Sequence, residues 1–421
     1  MLSHVLQTAT ELEAEDVCVV YGHGGEAVPA AIGGDNVRWV LQSEQLGTGH
    51  AVQQAMPETP DENQVLILYG DVPLLKVTTL SRLLESTLAD EISVLSVELD
   101  EPSGYGRILR DGDNIIGIVE QKDASDAEQA IGEINTGVMV CPAARLRAWL
   151  ENLGNDNSQG EYYLTDVIGM AVADRVTVKG IKADAWTEVM GINDKKQLAE
   201  AERALQLKRV AALMEAGVGF ADPARVDIRG TLQCGQDVFI DVNAIFEGDV
   251  VLGDNVTIES NNLIRDSRLG SGTLVHSNCH IEGATTGSNC EIGPFARLRP
   301  GAELANKVKI GNFVELKKST VADGSKVNHL TYVGDTDIGK GVNVGAGTIT
   351  CNYDGVNKHR TQIGDGAFIG SGVELVAPVK VGKGATIGAG ATLTRDAPEN
   401  ELTIERSRQK TIRGWKKPEN K

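Results

Sequence analysis

The stretch from Ile363 to Leu393, IGDGAFIGSGVELVAPVKVGKGATIGAGATL, decides the fold of the second half of the chain. An aliphatic residue recurs at every sixth position and is often followed by Gly or another small residue. The repeat is carried by Ile363, Ile369, Leu375, Val381, Ile387 and Leu393. A period of six predicts a parallel β-helix, in which each hexad forms one flat strand and a corner, and the aliphatic side chains stack inside.

The same period continues upstream to about residue 226. It is carried, with small phase shifts among the earlier members, by Leu252, Ile258, Ile264, Leu269, Val275, Ile281, Ile292, Leu298, Leu304, Ile310 and Leu316. Two segments leave the repeat: the polar loop TCNYDGVNKHR at 350–360, and an arm from Arg395 to Lys421. Because excursions from a solenoid tend to lie on one face and to bind, both are candidate binding segments.

The first half of the chain has a different pattern. Strand-like runs at Val17–Tyr21, Val65–Tyr69, Ile92–Val97 and Gly137–Val140 alternate with helical patterns at Met1–Glu13, Thr78–Leu88 and Thr165–Ala173. This alternation predicts an α/β domain over residues 1–195 with a mostly parallel sheet. Residues 196–216 lack Gly and Pro and predict a rigid linker helix. We expect residues 217–421 to form the β-helix domain.

Composition and charge exclude several classes of protein. The chain has 421 residues with 59 acidic against 40 basic side chains, a net charge of −19. A general nucleic-acid-binding protein needs a basic face, so that class is disfavoured. No apolar run reaches membrane-spanning length, the first 14 residues lack the pattern of a signal peptide, and the six cysteines show no CxxC spacing. We therefore expect a cytoplasmic protein with free thiols and no membrane partner.

A local excess of cations interrupts this acidic background. The hexapeptide region carries Arg297, Arg299, Lys317, Lys318, His329, Tyr332 and Lys358. Side chains on neighbouring coils stack side by side, and grouped Arg and Lys residues suit a phosphate. His329 is a candidate general base near neutral pH. The alternative is that the cations only form a solvated surface and that His329 has a structural role instead of a catalytic one.

Motifs in both halves resemble one enzyme family. The second half contains IGPFARLRPGAEL, NFVELKKS, KVNHLTYVGD, NVGAGTITCNYDGVNKH, FIGSGVELVAPV and TIGAG, and the first contains LQSEQLGTGHA, LYGDVPLL, GYGRI, GIVEQKDA, EINTGV, QGEYYLTD and EVMGIND. Together they resemble the bacterial bifunctional N-acetylglucosamine-1-phosphate uridylyltransferase/glucosamine-1-phosphate N-acetyltransferase family. The resemblance implies a Rossmann-like nucleotidyltransferase domain, a linker helix and a left-handed β-helix with a C-terminal arm. It also implies a homotrimer that makes UDP-N-acetylglucosamine for cell-wall and lipopolysaccharide synthesis.

The resemblance assigns an acetyl-transfer site to the second half. His329 is expected to deprotonate the amine of glucosamine-1-phosphate, and Glu315 is a candidate partner that orients the histidine. The sugar phosphate is expected at Arg299, Lys317, Tyr332, Asn343 and Lys358. Acetyl-CoA is expected at Ala346, Asn352, Tyr353, Ser371, Ala389 and Arg406. A base, a phosphate clamp and a backbone N–H for the thioester oxygen are the parts that this reaction needs.

The resemblance also assigns a uridylyl-transfer site to the first half. Asp71 and Asn193 are expected to hold Mg²⁺, which neutralises phosphate charge as the sugar phosphate attacks UTP. Contacts with the sugar nucleotide are expected from Gln42, Gly47, Thr48, Tyr69, Gly70, Asp71, Gly106, Glu120, Asn135 and Asn193. Among these residues, the resemblance assigns the uracil to Gln42, Gly47 and Thr48, and the sugar to Gly106, Glu120, Asn135 and Asn193. A carboxylate directly after a strand occupies the position where such sheets bind ligands.

The sequence departs from the family at one motif. The family's first strand and its Gly-rich LAAGxGTRM phosphate loop have no counterpart after Met1, and Gly22–Gly25 brings no Arg or Lys. Two explanations are possible. The sequence starts at an internal Met of a longer protein, or the chain begins here and its first domain is catalytically weakened. The sequence therefore predicts weak uridylyl transfer by the chain as printed, and the alternative function is acetyl transfer alone.

Two other classes of protein compete with this interpretation. A zinc enzyme on the same β-helix, similar to γ-carbonic anhydrase, needs three histidines at coil spacing. His276, His280, His329 and His359 form no such motif, and Cys279 and Cys290 are more consistent with turn and core positions. A non-catalytic scaffold predicts no turnover of glucosamine-1-phosphate with acetyl-CoA.

Overall fold

The computed structural model describes residues 1–33 and 36–416. The chain divides into two compact units, Met1–Ala204 and a second unit that begins at Leu205. The described helices are α1 (Leu2–Glu11), α2 (Ala27–Ile32), α3 (Thr48–Ala55), α4 (Val77–Glu85), α5 (Asp126–Gln129), α6 (Ala143–Glu151), α7 (Asp166–Ala173), α8 (Trp186–Val189) and α9 (Lys195–Glu215). Among the described residues, none of the helices combines the length and apolar character that a membrane crossing needs.

The first unit is built on a mixed sheet. Its strands are β1 (Cys18–Tyr21), β2 (Arg38–Leu41), β3 (Gln64–Ile67), β4 (Ile92–Glu98), β5 (Arg107–Asp111), β6 (Asn114–Val119), β7 (Glu133–Pro142) and β8 (Val178–Lys182). Six of them form the order β6-β5-β7-β4-β8, with β3 also on β7, while β1 and β2 pair in parallel separately. The expectation of a mostly parallel sheet is wrong, because β7 runs antiparallel to β3, β4 and β5, and β5 to β6; only β4–β8 is parallel among the six.

Helices cover both faces of this sheet. Along β4, Ile92 and Val94 pack in one apolar cluster with α6 and α7, whereas Leu95 and Val97 pack in another with α4. All six residues from Ile92 to Val97 are buried, as expected for a strand covered on both faces, although Ser93 and Ser96 interrupt its apolar sequence. The helices on the two faces therefore hold the sheet in place, and most candidate residues of this unit lie near the ends of its strands.

A large cavity lies between β1 and β3. It has a volume of about 970 Å³, and its lining is mainly apolar, with Leu2, Val5 and Ala9 of α1 on one side. Within the described part of the chain, β1 pairs with β2 alone and β3 with β7 alone. Each of these strands therefore presents one edge without a strand partner.

The second unit is a parallel β-helix. Its strands are β9 (Gly219–Phe220), β10 (Val226–Cys234), β11 (Phe239–Ile240), β12 (Ala244–Leu252), β13 (Thr257–Ile258), β14 (Leu263–Arg265), β15 (Arg268–Leu269), β16 (Leu274–Val275), β17 (His280–Glu282), β18 (Thr285–Thr286), β19 (Glu291–Ile292), β20 (Arg297–Leu298), β21 (Ala302–Leu304), β22 (Lys309–Lys317), β23 (Ser319–Val321), β24 (Lys326–Gly334), β25 (Thr336–Ile338), β26 (Asn343–Val344), β27 (Ile349–Cys351), β28 (Thr361–Ile363), β29 (Phe368–Ile369), β30 (Glu374–Val376), β31 (Val379–Val381), β32 (Thr386–Ile387), β33 (Thr392–Leu393) and β34 (Leu402–Thr403). All of their pairings are parallel.

Each coil stacks on the next with a fixed register. Val226 pairs with Ala244, and Leu274 with Glu291, so one coil takes 18 or 17 residues, or three hexads. The offset rises to 25 at Asn343–Phe368, because the loop at 350–360 is inserted there. The hexad aliphatics form one continuous core. This is the β-helix that the period of six predicts, and its left hand is the one that the resemblance implies.

The helix α9 contains the boundary between the two units, and each part of it packs within its own unit. Ala201 packs with Met190 and Ile192 in the first unit, and Val210 belongs to the core of the second. The side chain of Gln206 accepts from the N–H of Ile228 (2.7 Å) and donates to its carbonyl (3.0 Å), which closes the first coil. The boundary between the units therefore lies inside a single helix.

Candidate functional site

One corner of the β-helix collects the residues expected to act in acetyl transfer. The strand register places His329 directly beside Asn312, and the same coil spacing continues it to Ala346, Ser371 and Ala389. Backbone N–H groups from the following coils donate to the carbonyls of His329 (3.4 Å), Ala346 (2.7 Å) and Ser371 (2.9 Å). The base and three expected acetyl-CoA residues thus form one column along the corner.

His329 is exposed on the wall of a cavity of about 470 Å³. Its Nδ1 lies 2.7 Å from Oδ1 of Asn312. The charged groups that line the same cavity are His276, Glu291, Lys309 and Lys326. Glu291 accepts from Lys309 (2.8 Å) and contacts His276 (3.1 Å), and these partners, Lys309 foremost, lower the pKa of its carboxyl.

The expected phosphate-binding cations lie together on an adjacent face. The ammonium groups of Lys317 and Lys358 are neighbours, and the positive charge of Lys358, with a smaller effect of Arg299, lowers the pKa of Lys317. Arg299 donates to Glu315 at 2.8 Å. The expectation that Glu315 orients His329 is therefore wrong, because its carboxylate holds the guanidinium of Arg299 while Asn312 contacts the histidine.

The inserted loop holds Lys358 in place. Tyr353 and Lys358 pair as an antiparallel bridge. Asp354 accepts from the N–H groups of Val356 (2.8 Å) and Asn357 (2.6 Å) and contacts His359 (2.7 Å). These bonds, that of Asn357 foremost, hold the pKa of Asp354 far below its usual range. The loop is therefore an ordered turn that delivers Lys358 to Lys317 of the same chain.

The remaining residues of the acetyl site are distributed around these two groups. Asn352 is buried and donates to Asp335, whereas the Tyr353 side chain is 59% exposed. Asn343 stands beside Lys326 in the coil ladder. Arg406 lies in the exposed arm after β34. The residues of one chain thus leave the site open to solvent.

A second column beside His329 has an unusual composition. Its members adopt positive φ and follow one another at coil spacing: Asn243, Asn261, Asn278, Phe295, Phe313, Leu330, Gly347, Gly372 and Gly390. Asn and Gly tolerate this conformation, but it is strained for bulky side chains. Phe295, Phe313 and Leu330 are nevertheless 50%, 55% and 62% exposed, and the two rings stack at 5.3 Å. We call these three residues the apolar stripe.

In the first unit, Asp71 and Asn193 lie close together. A Cβ at Gly191 would stand 3.9 Å from Nδ2 of Asn193 and 4.0 Å from Oδ2 of Asp71, and the Ile192 N–H donates to the Asp71 carbonyl (3.0 Å). Burial raises the pKa of Asp71. A carboxylate and an amide oxygen beside an open glycine fit Mg²⁺, which keeps most of its ligands as water and substrate phosphates.

The residues expected to contact the sugar nucleotide converge on the same strand ends. Asn135 donates from its N–H to the Gly106 carbonyl (2.8 Å), and Glu120 accepts from the Thr165 hydroxyl (3.0 Å). Burial, and secondarily the charges of Glu120 and Asp71, raise the pKa of Tyr69 to about 12. Gly70 follows Tyr69 in the turn after β3. Glu120 and Asp71 thus both lie near Tyr69, which brings part of the expected sugar site close to the expected metal site.

The expected uracil contacts form a tight turn before α3. Gln42 is buried and donates to the Gly47 carbonyl at 3.2 Å. Gly47 has φ +115°, and a Cβ there would stand 2.6 Å from the Tyr162 carbonyl, so only glycine fits. The Thr48 hydroxyl accepts from the Leu164 N–H (3.1 Å). The Gly22–Gly25 turn after β1 carries neither Arg nor Lys.

Comparisons with known proteins identify a family for each unit. Residues 1–164 match the MobA-like NTP transferase domain, and residues 360–395 match the bacterial transferase hexapeptide family. The chain is 57% identical to the bifunctional protein GlmU of Aromatoleum aromaticum and 58% identical to that of Azoarcus sp. BH72 over 419 residues. These matches span 99% of this chain and 92% and 93% of the relatives.

A third relative, bifunctional protein GlmU of Alkalilimnicola ehrlichii, is 57% identical over 99% of this chain and 90% of its own length. Because both units are matched along nearly their whole length, the alternative of acetyl transfer alone is not favoured. The chain belongs to the family of bifunctional GlmU proteins, the uridylyltransferase/acetyltransferases that its motifs resemble.

Proposed function

We propose that the corner column at His329 is the centre of acetyl transfer and that the strand ends around Asp71 are the centre of uridylyl transfer. The chain is an enzyme of the GlmU type, with UTP and acetyl-CoA as co-substrates and Mg²⁺ as metal. The observation that carries the residue assignment is the position of His329, an exposed base in register with Ala346, Ser371 and Ala389.

His329 takes a proton from the amine of glucosamine-1-phosphate through Nε2. The nitrogen attacks the thioester carbonyl carbon, the N–C bond forms, and the C–S bond then breaks. The coenzyme A thiolate leaves with the proton that the imidazolium returns. A backbone N–H of the column at Ala346 or Ser371 is suited to stabilise the oxyanion.

The phosphate of the sugar is held by Arg299, Lys317 and Lys358. Within one chain the two lysines repel each other, which lowers the pKa of Lys317. A phosphate between them replaces this repulsion with two charge-assisted hydrogen bonds. Glu315 holds the Arg299 guanidinium in position before the anion arrives.

In the first unit, Asp71 and Asn193 hold Mg²⁺, which neutralises phosphate charge when bound. Glu120 and Asn135 bind the sugar of N-acetylglucosamine-1-phosphate, whose phosphate oxygen attacks the α-phosphorus of UTP and displaces pyrophosphate. Gln42, Gly47 and Thr48 present a rigid turn to the uracil, because their hydrogen bonds are made within the turn and to the 162–164 segment. We place both reactions in the cytoplasm, where six unpaired cysteines are expected.

The apolar stripe supports assembly of the β-helix as a homotrimer. The other members of this column are Asn or Gly, which tolerate positive φ. Phe295, Phe313 and Leu330 adopt the same positive φ at a cost in backbone strain. They are exposed in one chain, and a second copy packed on them covers apolar surface directly beside His329. The site, which one chain leaves open, is then closed between subunits.

One variant in each unit, assayed for both activities, tests the assignment of the two sites. We expect His329→Ala to lower acetyl transfer by roughly 10²–10⁴-fold and to leave uridylyl transfer unchanged. Asp71→Asn should have the opposite pattern, with loss of pyrophosphate release and normal acetyl transfer. Acetyl transfer at the normal rate in His329→Ala would overturn the proposal for the second unit, and full pyrophosphate release in Asp71→Asn that for the first.

A further inference from the structure

The partner of His329 decides which of its nitrogens is free. Nδ1 lies 2.7 Å from Oδ1 of Asn312, and an amide oxygen can only accept. The proton of the neutral imidazole therefore resides on Nδ1, and Nε2 carries the lone pair.

The β-helix holds this pair by its own register. Asn312 and His329 are direct ladder neighbours on β22 and β24. Each is followed by a residue of positive φ, Phe313 at 55° and Leu330 at 47°, so the two coils turn the corner in the same way. The carbonyl of His329 also accepts from the Thr331 hydroxyl at 2.7 Å, which fixes the backbone on its other side.

We infer that Asn312 is the positioning residue of the acetyl-transfer base: its amide oxygen fixes the tautomer and ring orientation of His329 and directs Nε2 toward the amine. This inference rests on the proposed role of His329. An amide does this without adding a negative charge, whereas a carboxylate partner would stabilise the imidazolium. The base then returns its proton readily to the leaving thiolate.

The charged groups around His329 belong to other pairs. Glu291 is bonded to Lys309 and His276, and Glu315 to Arg299. His276 also contacts Glu259 (3.1 Å), and Lys326 lines the same cavity. Of these groups, none supplies the contact at Nδ1, which in the described residues is made by Asn312.

Two variants of Asn312 and one control variant, each in the full chain, test the inference by steady-state acetyl transfer from pH 5.5 to 9. Asn312→Leu keeps the volume and removes the acceptor. We expect its kcat to fall by about tenfold, the loss of one neutral hydrogen bond that orients a base, with KM for both substrates changed less than twofold. Asn312→Asp should restore most of kcat and move the acidic limb of the pH profile to higher pH, because the added charge favours the protonated ring.

Asn306→Leu is the matched control. It removes similar bonds between coils at another corner, where Asn306 donates to Asp323 (3.2 Å) and accepts from the Ser288 N–H (2.9 Å). We expect normal kcat and an unchanged pH profile. The inference would be overturned by a normal kcat in Asn312→Leu, or by an acidic limb of the pH profile that does not move in Asn312→Asp. If His329→Ala has lost acetyl transfer in the same experiment, the role of His329 as the base still holds. An active His329→Ala would overturn the proposed function instead.

Discussion

Single charged groups set the chemistry of both candidate sites. The positive charge of Lys358 acts on Lys317 and lowers its pKa, and burial raises the pKa of Asp71. In each case the surroundings disfavour the charged form, and the proposed ligand, a phosphate or Mg²⁺, restores it. The pKa shifts therefore predict how binding depends on pH.

Lys358→Met tests the phosphate clamp. We expect KM for glucosamine-1-phosphate to rise about tenfold or more, because one charge-assisted hydrogen bond is lost, with kcat little changed. In the native chain, repulsion lowers the pKa of Lys317, so affinity for the sugar phosphate falls as alkaline pH removes its proton. Without Lys358 that pKa rises, and the alkaline loss should move to higher pH. An unchanged KM at pH 7 would contradict the clamp.

Asp71 predicts a pH-dependent requirement for metal. Burial raises its pKa, so the neutral acid persists to higher pH than for an ordinary aspartate, and only the carboxylate binds Mg²⁺. The Mg²⁺ concentration for half-maximal pyrophosphate release should increase as pH is lowered from 8 to 5. Acetyl transfer by the same preparation is the control for acid inactivation. A half-maximal concentration that stays constant over this range would contradict a metal-binding Asp71.

At the scale of elements, the corners of the coil carry the function. The strands β22 and β24 each turn a corner within their length, and this corner presents Asn312 and His329 together with Phe313 and Leu330 of the apolar stripe. The strained φ of Phe295, Phe313 and Leu330 costs stability in one chain. We expect contacts between the subunits of the proposed trimer to offset this cost.

Phe313→Asn separates assembly from folding. Asn tolerates positive φ, so the coil should keep its structure by circular dichroism, while loss of the ring should dissociate the trimer in light scattering and reduce acetyl transfer. Uridylyl transfer should persist. Leu88→Asn removes an equally exposed apolar side chain from the first unit (63% exposed) and should change neither property. A stable trimer in Phe313→Asn would exclude the stripe as the interface.

The sequence predicts local repeats well and long-range pairings poorly. The six-residue period identifies the β-helix because each hexad repeats the same local environment. The direction of β7 depends instead on partners that are far away in the sequence, such as Val65 with Cys141 and Gln64 with Pro142, and the expected parallel sheet is wrong. The partner of His329 was missed for a similar reason. Asn312 is 17 residues away, a coil spacing that could have identified it.

At the scale of the molecule, the two units differ in how completely they are packed. The second unit has one continuous core, and every coil is bonded to its neighbours. The first contains a cavity of about 970 Å³ between β1 and β3, where two strand edges lack a strand partner among the described residues. Empty apolar volume and unpaired backbone both cost stability.

We therefore expect two thermal transitions in calorimetry, with the first unit unfolding at the lower temperature. Mg²⁺ and UTP together should raise only the lower transition, and acetyl-CoA only the upper, because each ligand stabilises the unit that binds it. Ala9→Leu adds apolar volume to the cavity and should raise the lower transition by a few degrees. Ala391→Leu, in the filled core of the coils, should lower the upper one. A lower transition that responded to acetyl-CoA and to Ala391→Leu would reverse the assignment and show that the cavity does not limit the stability of the molecule.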